Sequence, residues 1–178
     1  NNQRQFGERA TGSIVITPAG RGPDGWYYGL AGADTFEVWA DVARLPRDDR
    51  EVSARVFEPS EDAALERAFG LPDGRFRSQR ERLDRIALRL VDLAVPDDPR
   101  VGVAVFAPKF PGAFPFRVAR PTLARPLLEA IRAWALPEHD FIRVTIEDDP
   151  ALHRAFTDAG AETVMELLHL EGPLPLQG

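Results

Sequence analysis

Asp149-Pro150-Ala151-Leu152-His153-Arg154-Ala155-Phe156-Thr157-Asp158-Ala159-Gly160 is a helix with both of its ends written into it. Asp149 is a good N-cap, Pro150 suits the first helical position because no N–H is needed there, and Gly160 supplies a left-handed stop. Leu152, Phe156 and Ala159 then share one face. Just upstream, Ile142, Val144 and Ile146 alternate with polar residues, which predicts a strand over 141–147. Downstream, 162–170 reads as a last strand. Helices and strands patterned in this way bury their apolar faces only by packing helices on a sheet. The expected fold class is therefore α/β, with a mixed α+β sheet flanked by helices.

Working outward, the first fifty residues carry turn punctuation at Gly20-Arg21-Gly22-Pro23-Asp24-Gly25, Ala31-Gly32-Ala33-Asp34 and Pro46-Arg47-Asp48-Asp49. Short β-like runs lie between, over 13–17, 26–30 and 35–44, and their short connections predict an antiparallel meander. Val52, Ala54 and Val56 alternate in a fourth strand. Ser60 is placed to N-cap a short helix that Gly70 ends, with Leu65, Ala68 and Phe69 on its buried side. Leu83, Ile86, Leu90 and Leu93 recur at helical spacing and predict a longer helix over 76–93. Two strands over 101–107 and 113–119 follow, joined by Pro108-Lys109-Phe110-Pro111-Gly112, and then a helix ending near Leu136. The organisation expected is a set of N-terminal antiparallel strands over 1–50, joined to the same sheet, and a main domain over 51–178.

With 22 basic and 28 acidic residues the net charge is −6, which disfavours broad attraction to nucleic acid or an anionic membrane. Cysteine is absent, so disulfides, thiolate nucleophiles and cysteine metal sites are all excluded. No stretch approaches the ~20 apolar residues of a membrane helix. A cytoplasmic protein is the expectation. Lys109 is the only lysine, so 21 of the 22 basic residues are arginine. We read this as the mark of a GC-rich bacterial genome, and it makes any single arginine weak evidence for binding.

From residue 51 onward the order of elements resembles that of the GNAT N-acetyltransferases, which have three strands rather than two before their central helix. The likeness is carried by residues 120–173: Leu127-Leu128-Glu129-Ala130-Ile131-Arg132-Ala133-Trp134-Ala135 is similar to the family's central helix, 149–160 to its penultimate helix, and Glu166-Leu167-Leu168-His169-Leu170-Glu171-Gly172-Pro173 to its close. The resemblance implies acetyl-CoA as cofactor, a small-molecule amine as acceptor, and transfer of an acyl group to that amine. It also implies that the cofactor's pyrophosphate lies at the turn before the central helix, on backbone N–H groups. In this chain that turn is Ala119-Arg120-Pro121-Thr122-Leu123-Ala124, so Val118, Arg120, Thr122, Leu123, Ala124 and Arg125 are the cofactor-binding candidates.

Several positions depart from the family pattern. Thr122 replaces a glycine, Pro121 has no N–H, and Pro126 would cost ~3 kcal/mol deep in a helix, which predicts a start near Arg125. Leu127, Leu128 and Glu129 would then carry the exposed N–H groups. Arg120 and Arg125 could contact phosphate by side chain, or stand as surface arginines. The family's usual general acid is a tyrosine at the position of Phe156, whose ring has no proton to give; a substituting water would cost about 10²-fold or more. Gly160-Ala161 stands where the family has Gly-Phe.

Other chemistry finds less support. The Gly-x-Gly-x-x-Gly match at 20–25 is followed by Trp26-Tyr27-Tyr28, a strand, whereas a dinucleotide site needs a helix there. His139, His153 and His169 lack metal-ligand spacing, and Glu147-Asp148-Asp149 serves either a cation or a strand end with its N-cap. Phe106, Phe110, Phe114 and Phe116, interleaved with prolines, either line a pocket or a subunit contact or alternate into the core. The catalytic acid and base stay unassigned. Two functions are expected: an acyl-CoA-dependent N-acyltransferase with a modified cofactor loop, or a catalytically inactive GNAT-fold module for oligomerisation or for another ligand. The N-terminal strands either complete the platform or are the remnant of a tandem half, and they could be exchanged within a homodimer.

Overall fold

The computed structural model describes residues 33–38, 42–82 and 84–167. The expected strands over 13–17 and 26–30, the glycine-rich turn at 20–25 and His169 lie outside them. Strands β1 (Ala33–Val38), β2 (Val52–Val56), β3 (Ile86–Asp92), β4 (Gly102–Ala107), β5 (Gly112–Val118), β6 (Ile142–Glu147) and β7 (Glu162–Leu167) form one mixed sheet in the order β2-β3-β4-β5-β6-β1-β7. Helices α1 (Asp62–Phe69), α2 (Arg75–Arg80), α3 (Ala124–Arg132) and α4 (Pro150–Ala159) flank it. The α/β class and the mixed sheet expected from the pattern are present. Among the described residues no helix is long and apolar enough to cross a membrane.

Alternation along the strands divides the core between the two faces of the sheet. Leu88, Leu90, Ala104, Phe106, Phe116, Ile142, Val144 and Ile146 point to the side covered by α3 and α4. Ala87, Val103 and Val105 point to the other, where Phe57, Leu65, Leu71 and Phe76 meet them from α1, α2 and their connections. Leu123, Leu127, Leu128 and Ile131 are all fully buried on the α3 side. At about 1.5–3 kcal/mol for each, these four are worth roughly 6–12 kcal/mol of gross burial energy, which seats α3 on the sheet.

The helix expected over 76–93 is a misreading. Its start is α2, which ends at Arg80, and its remainder is β3. A strand buried on both faces shows no polar alternation, so Ile86, Leu90 and their neighbours imitate helical spacing. Asp84 adopts φ 61°, a backbone no helix continues through. Three strands, not two, therefore lie between α2 and α3. The strand expected over 35–44 is also corrected: β1 ends at Val38, and Val42–Arg44 is a 3-10 turn. β1 takes no part in a meander with its sequence neighbours; it lies antiparallel between β6 and β7. Glu58 rather than Ser60 opens the 3-10 turn before α1, while Gly70 ends that helix at φ 63° as expected. α3 begins at Ala124 out of a 3-10 turn at Pro121–Leu123 and stops at Arg132, four residues short of Leu136. Of the phenylalanine hairpin, Phe106 and Phe116 are core, Phe114 is half-buried and Phe110 is exposed.

One ion-pair cluster ties β2 and β3 to the start of α1. Arg55 donates to both Glu61 oxygens at 2.8 and 2.7 Å, and Arg89, buried in β3, donates to Glu61 Oε1 at 2.8 Å and to the Asp98 carbonyl at 3.0 Å. The Arg55 bonds above all, against the cost of burial, hold the Glu61 carboxyl at about 2 rather than 4.5. A depressed carboxylate stabilises the fold above its unfolded pKa and loses that contribution as pH falls through the folded value. Wild type should therefore lose on the order of 2–3 kcal/mol more than Glu61→Gln between pH 5 and pH 2, measured by urea unfolding across that range.

Candidate functional site at the strand split

β5 and β6 are the parallel neighbours of the sheet, and they pair over only Gly112↔Arg143 and Ala113↔Val144. Beyond that point β5 bulges. Ala104 opposes Phe116 while Phe106 opposes Ala113, so Phe114 and Pro115, joined by a cis peptide bond, stand against Val105 alone. A bulge bends its strand, and the C-terminal halves of β5 and β6 part. The connection after β5 runs back as α3 over β2, β3 and β4, and the one after β6 leads through α4 to β7. In open α/β sheets a crevice at the carboxyl ends of strands whose connections diverge is the preferred ligand position.

Side chains close this crevice. On the α2 side, Arg117 of β5 donates Nη1 to the Glu147 carbonyl at 3.0 Å and Nη2 to Glu147 Oε2. Glu147 is 5% exposed, and its Oε1 is buried with no hydrogen-bond partner among the described residues. Burial pushes the Glu147 carboxyl up; Arg117 and then Arg75 pull it down without cancelling the rise. Arg75, at the start of α2, lies 5.5 Å from the centre of the Phe114 ring. On the other face Phe156 of α4 packs against Phe116 at 6.3 Å and Phe36 of β1 at 5.4 Å between centroids, and all three rings are fully buried.

The six cofactor-loop candidates are adjacent but do not form a cradle. Val118, Leu123 and Ala124 are core residues. The N–H of Leu123 turns back to the Arg120 carbonyl at 3.0 Å and that of Ala124 to the Pro121 carbonyl, while Pro121 and Pro126 have none. Thr122 donates its hydroxyl to Asp48 Oδ2. Arg125 pairs with Glu129 at 2.9 Å and donates to the Ala43 carbonyl at 2.9 Å. Arg120 is exposed. Against this loop the pyrophosphate of an acyl-CoA would meet one carboxylate and, apart from the exposed Arg120, side-chain donors already engaged, so the residues do not form a cradle for that group.

A cleft of about 470 Å³ beside α4 is no better suited to a polyanion, since Asp148, Asp149 and Asp158 line it with Arg154 and His153. Asp149 works as the expected N-cap, accepting from the Leu152 N–H at 2.9 Å. Among the described residues no group of three or more His, Cys, Asp or Glu is placed to hold a metal.

Sequence reading missed Arg117 and left Glu147 between a cation ligand and a strand end. The alternation of Ile142, Val144 and Ile146 does put Glu147 on the opposite face; that this face is buried there, against Arg117, is a tertiary fact. Arg117→Met should destabilise by about 3–5 kcal/mol at pH 7, because a buried carboxylate is left unpaired. The loss should shrink as pH falls through the raised Glu147 pKa, since the protonated form has no charge to bury, whereas Glu147→Gln should cost under about 1 kcal/mol. Denaturant unfolding of both variants from pH 8 to pH 4.5 checks the order and the sign.

No protein-family model matches the chain, and no curated protein matches it detectably in sequence.

Proposed function

We propose that this chain is a GNAT-like module in which acetyl transfer from CoA has been lost, and which serves as a binding or oligomerisation unit. The observation that carries this reading is the closed split between β5 and β6: Arg117 and Glu147 fill one face, and Phe116 with Phe156 the other. The GNAT part of the reading is supported by β3, β4 and β5, three antiparallel strands ahead of α3, and by the β6, α4, β7 succession. Loss of transfer is supported by Phe156, buried in an apolar cluster where the family places its acid, and by the engaged loop around Thr122.

A second reading, an acyl-CoA-dependent N-acyltransferase acting on a small amine, is favoured by Glu147. A buried carboxyl with a raised pKa and one free oxygen has the chemistry of a proton acceptor. The two readings separate on one sample of the full chain. With acetyl-CoA and a panel of primary amines, the module reading expects no thiol release above buffer. Amine-dependent thiol release would overturn it in favour of the second.

Phe156→Tyr gives an independent check. The added hydroxyl enters an apolar cluster with no partner, so it should lower stability by about 1–3 kcal/mol and produce no thiol release. Transfer activity appearing in this variant would mean that the rest of the machinery is intact.

A further inference from the structure

Residues 42–50 form a strap against the N-terminal end of α3. Val42 and Leu45 are buried in the main core, and Arg125 holds the Ala43 carbonyl at 2.9 Å. At the far end Arg50 pairs with Asp92 at 3.3 Å. Between these anchors stands the Asp48 carboxylate. Its Oδ1 accepts from the Arg50 N–H at 2.9 Å, and its Oδ2 accepts from the hydroxyl of Thr122, a residue 74 positions away. Burial by itself would raise this carboxyl, and the Thr122 and Arg50 bonds with the nearby charge of Arg120 reverse that, so it sits below its ordinary value. A hydroxyl, a backbone N–H and a guanidinium converging on one acid are the donor types that phosphate oxygens take.

We infer that Asp48 is a built-in anion that occupies the Thr122 hydroxyl beside the charge of Arg120 in the turn before α3, and excludes phosphate-bearing ligands from it. A phosphate arriving there meets a negative charge already held by Thr122, and like charges at that separation repel. Displacing Oδ2 frees the strap from Thr122, whereas Oδ1 holds only the strap's own turn at Arg50. The inference deepens the module reading by giving a cause for the lost phosphate site, but it rests on the bonds around Asp48 and not on the absence of transfer.

The test uses the full chain with three probes: CoA, pantetheine, which is the same thiol arm without phosphates, and inorganic phosphate against chloride at matched ionic strength. In wild type, CoA should bind no tighter than pantetheine, and phosphate should give no saturable rise in thermal midpoint. Asp48→Ala should gain both a saturable phosphate-dependent rise and at least a tenfold preference for CoA over pantetheine. Should Asp48→Ala fail to fold, Asp48→Asn carries the same two readings, since it keeps the shape and removes the charge. A wild type that already prefers CoA tenfold, or a folded Asp48 variant that gains no phosphate response, overturns the inference. The failures are distinguishable: an idle chain that holds CoA by its phosphates sinks this inference alone, whereas amine-dependent transfer without a phosphate preference sinks the module reading alone.

Discussion

Everything on the right-hand side of the sheet depends on the six residues of β1. β6 and β7 run in the same direction and are joined by α4, yet they are not neighbours; β1 stands between them, antiparallel to both. Backbone N–H and C=O groups on the facing edges of β6 and β7 have their ladder partners only through β1. The same strand sends Phe36 into the core, where it contacts His153 edge-on at 5.0 Å and Phe156 at 5.4 Å. One short segment thus completes the hydrogen bonding of two strands and supplies the apolar floor for α4.

That dependence explains what was legible in the sequence and what was not. The bounds of α4 were readable to the residue because Asp149, Pro150 and Gly160 each act locally, the last at φ 92°. β3 was misread because burial on both faces erased the period that distinguishes a strand from a helix. The partners of β1 were unreadable: its own alternation says only that it is a strand, and the pairing Ala33↔Glu147 spans most of the chain. The candidate site failed for the same reason. Arg117 meets Glu147 across 30 positions and Thr122 meets Asp48 across 74, and neither pair follows a spacing rule.

The arginine excess also finds a structural use. Arg80, Arg89, Arg100, Arg117 and Arg125 each donate to a backbone carbonyl, of Phe57, Asp98, Ala68, Glu147 and Ala43 respectively. Four of the five also bond a carboxylate, on Asp62, Glu61, Glu147 or Glu129. A guanidinium's five donors allow it to satisfy a strand end or turn and an acid at once, which a lysine ammonium does less well. These five guanidinium groups are therefore structural cross-links, a different use from that of Arg75, which stands over the Phe114 ring.

The placement of β1 also orders the assembly of the sheet in time. β2 to β5 pair between close segments, apart from the helical excursion after β2, and can zip as an antiparallel unit. The β6-β1-β7 half requires residues near 33 to find residues near 147 and 167, a closure whose entropic cost precedes any reward. Half of the molecule is thus a local fold and half a long-range clasp. The boundary between them is the short two-rung contact of β5 with β6, the same seam at which the crevice opens.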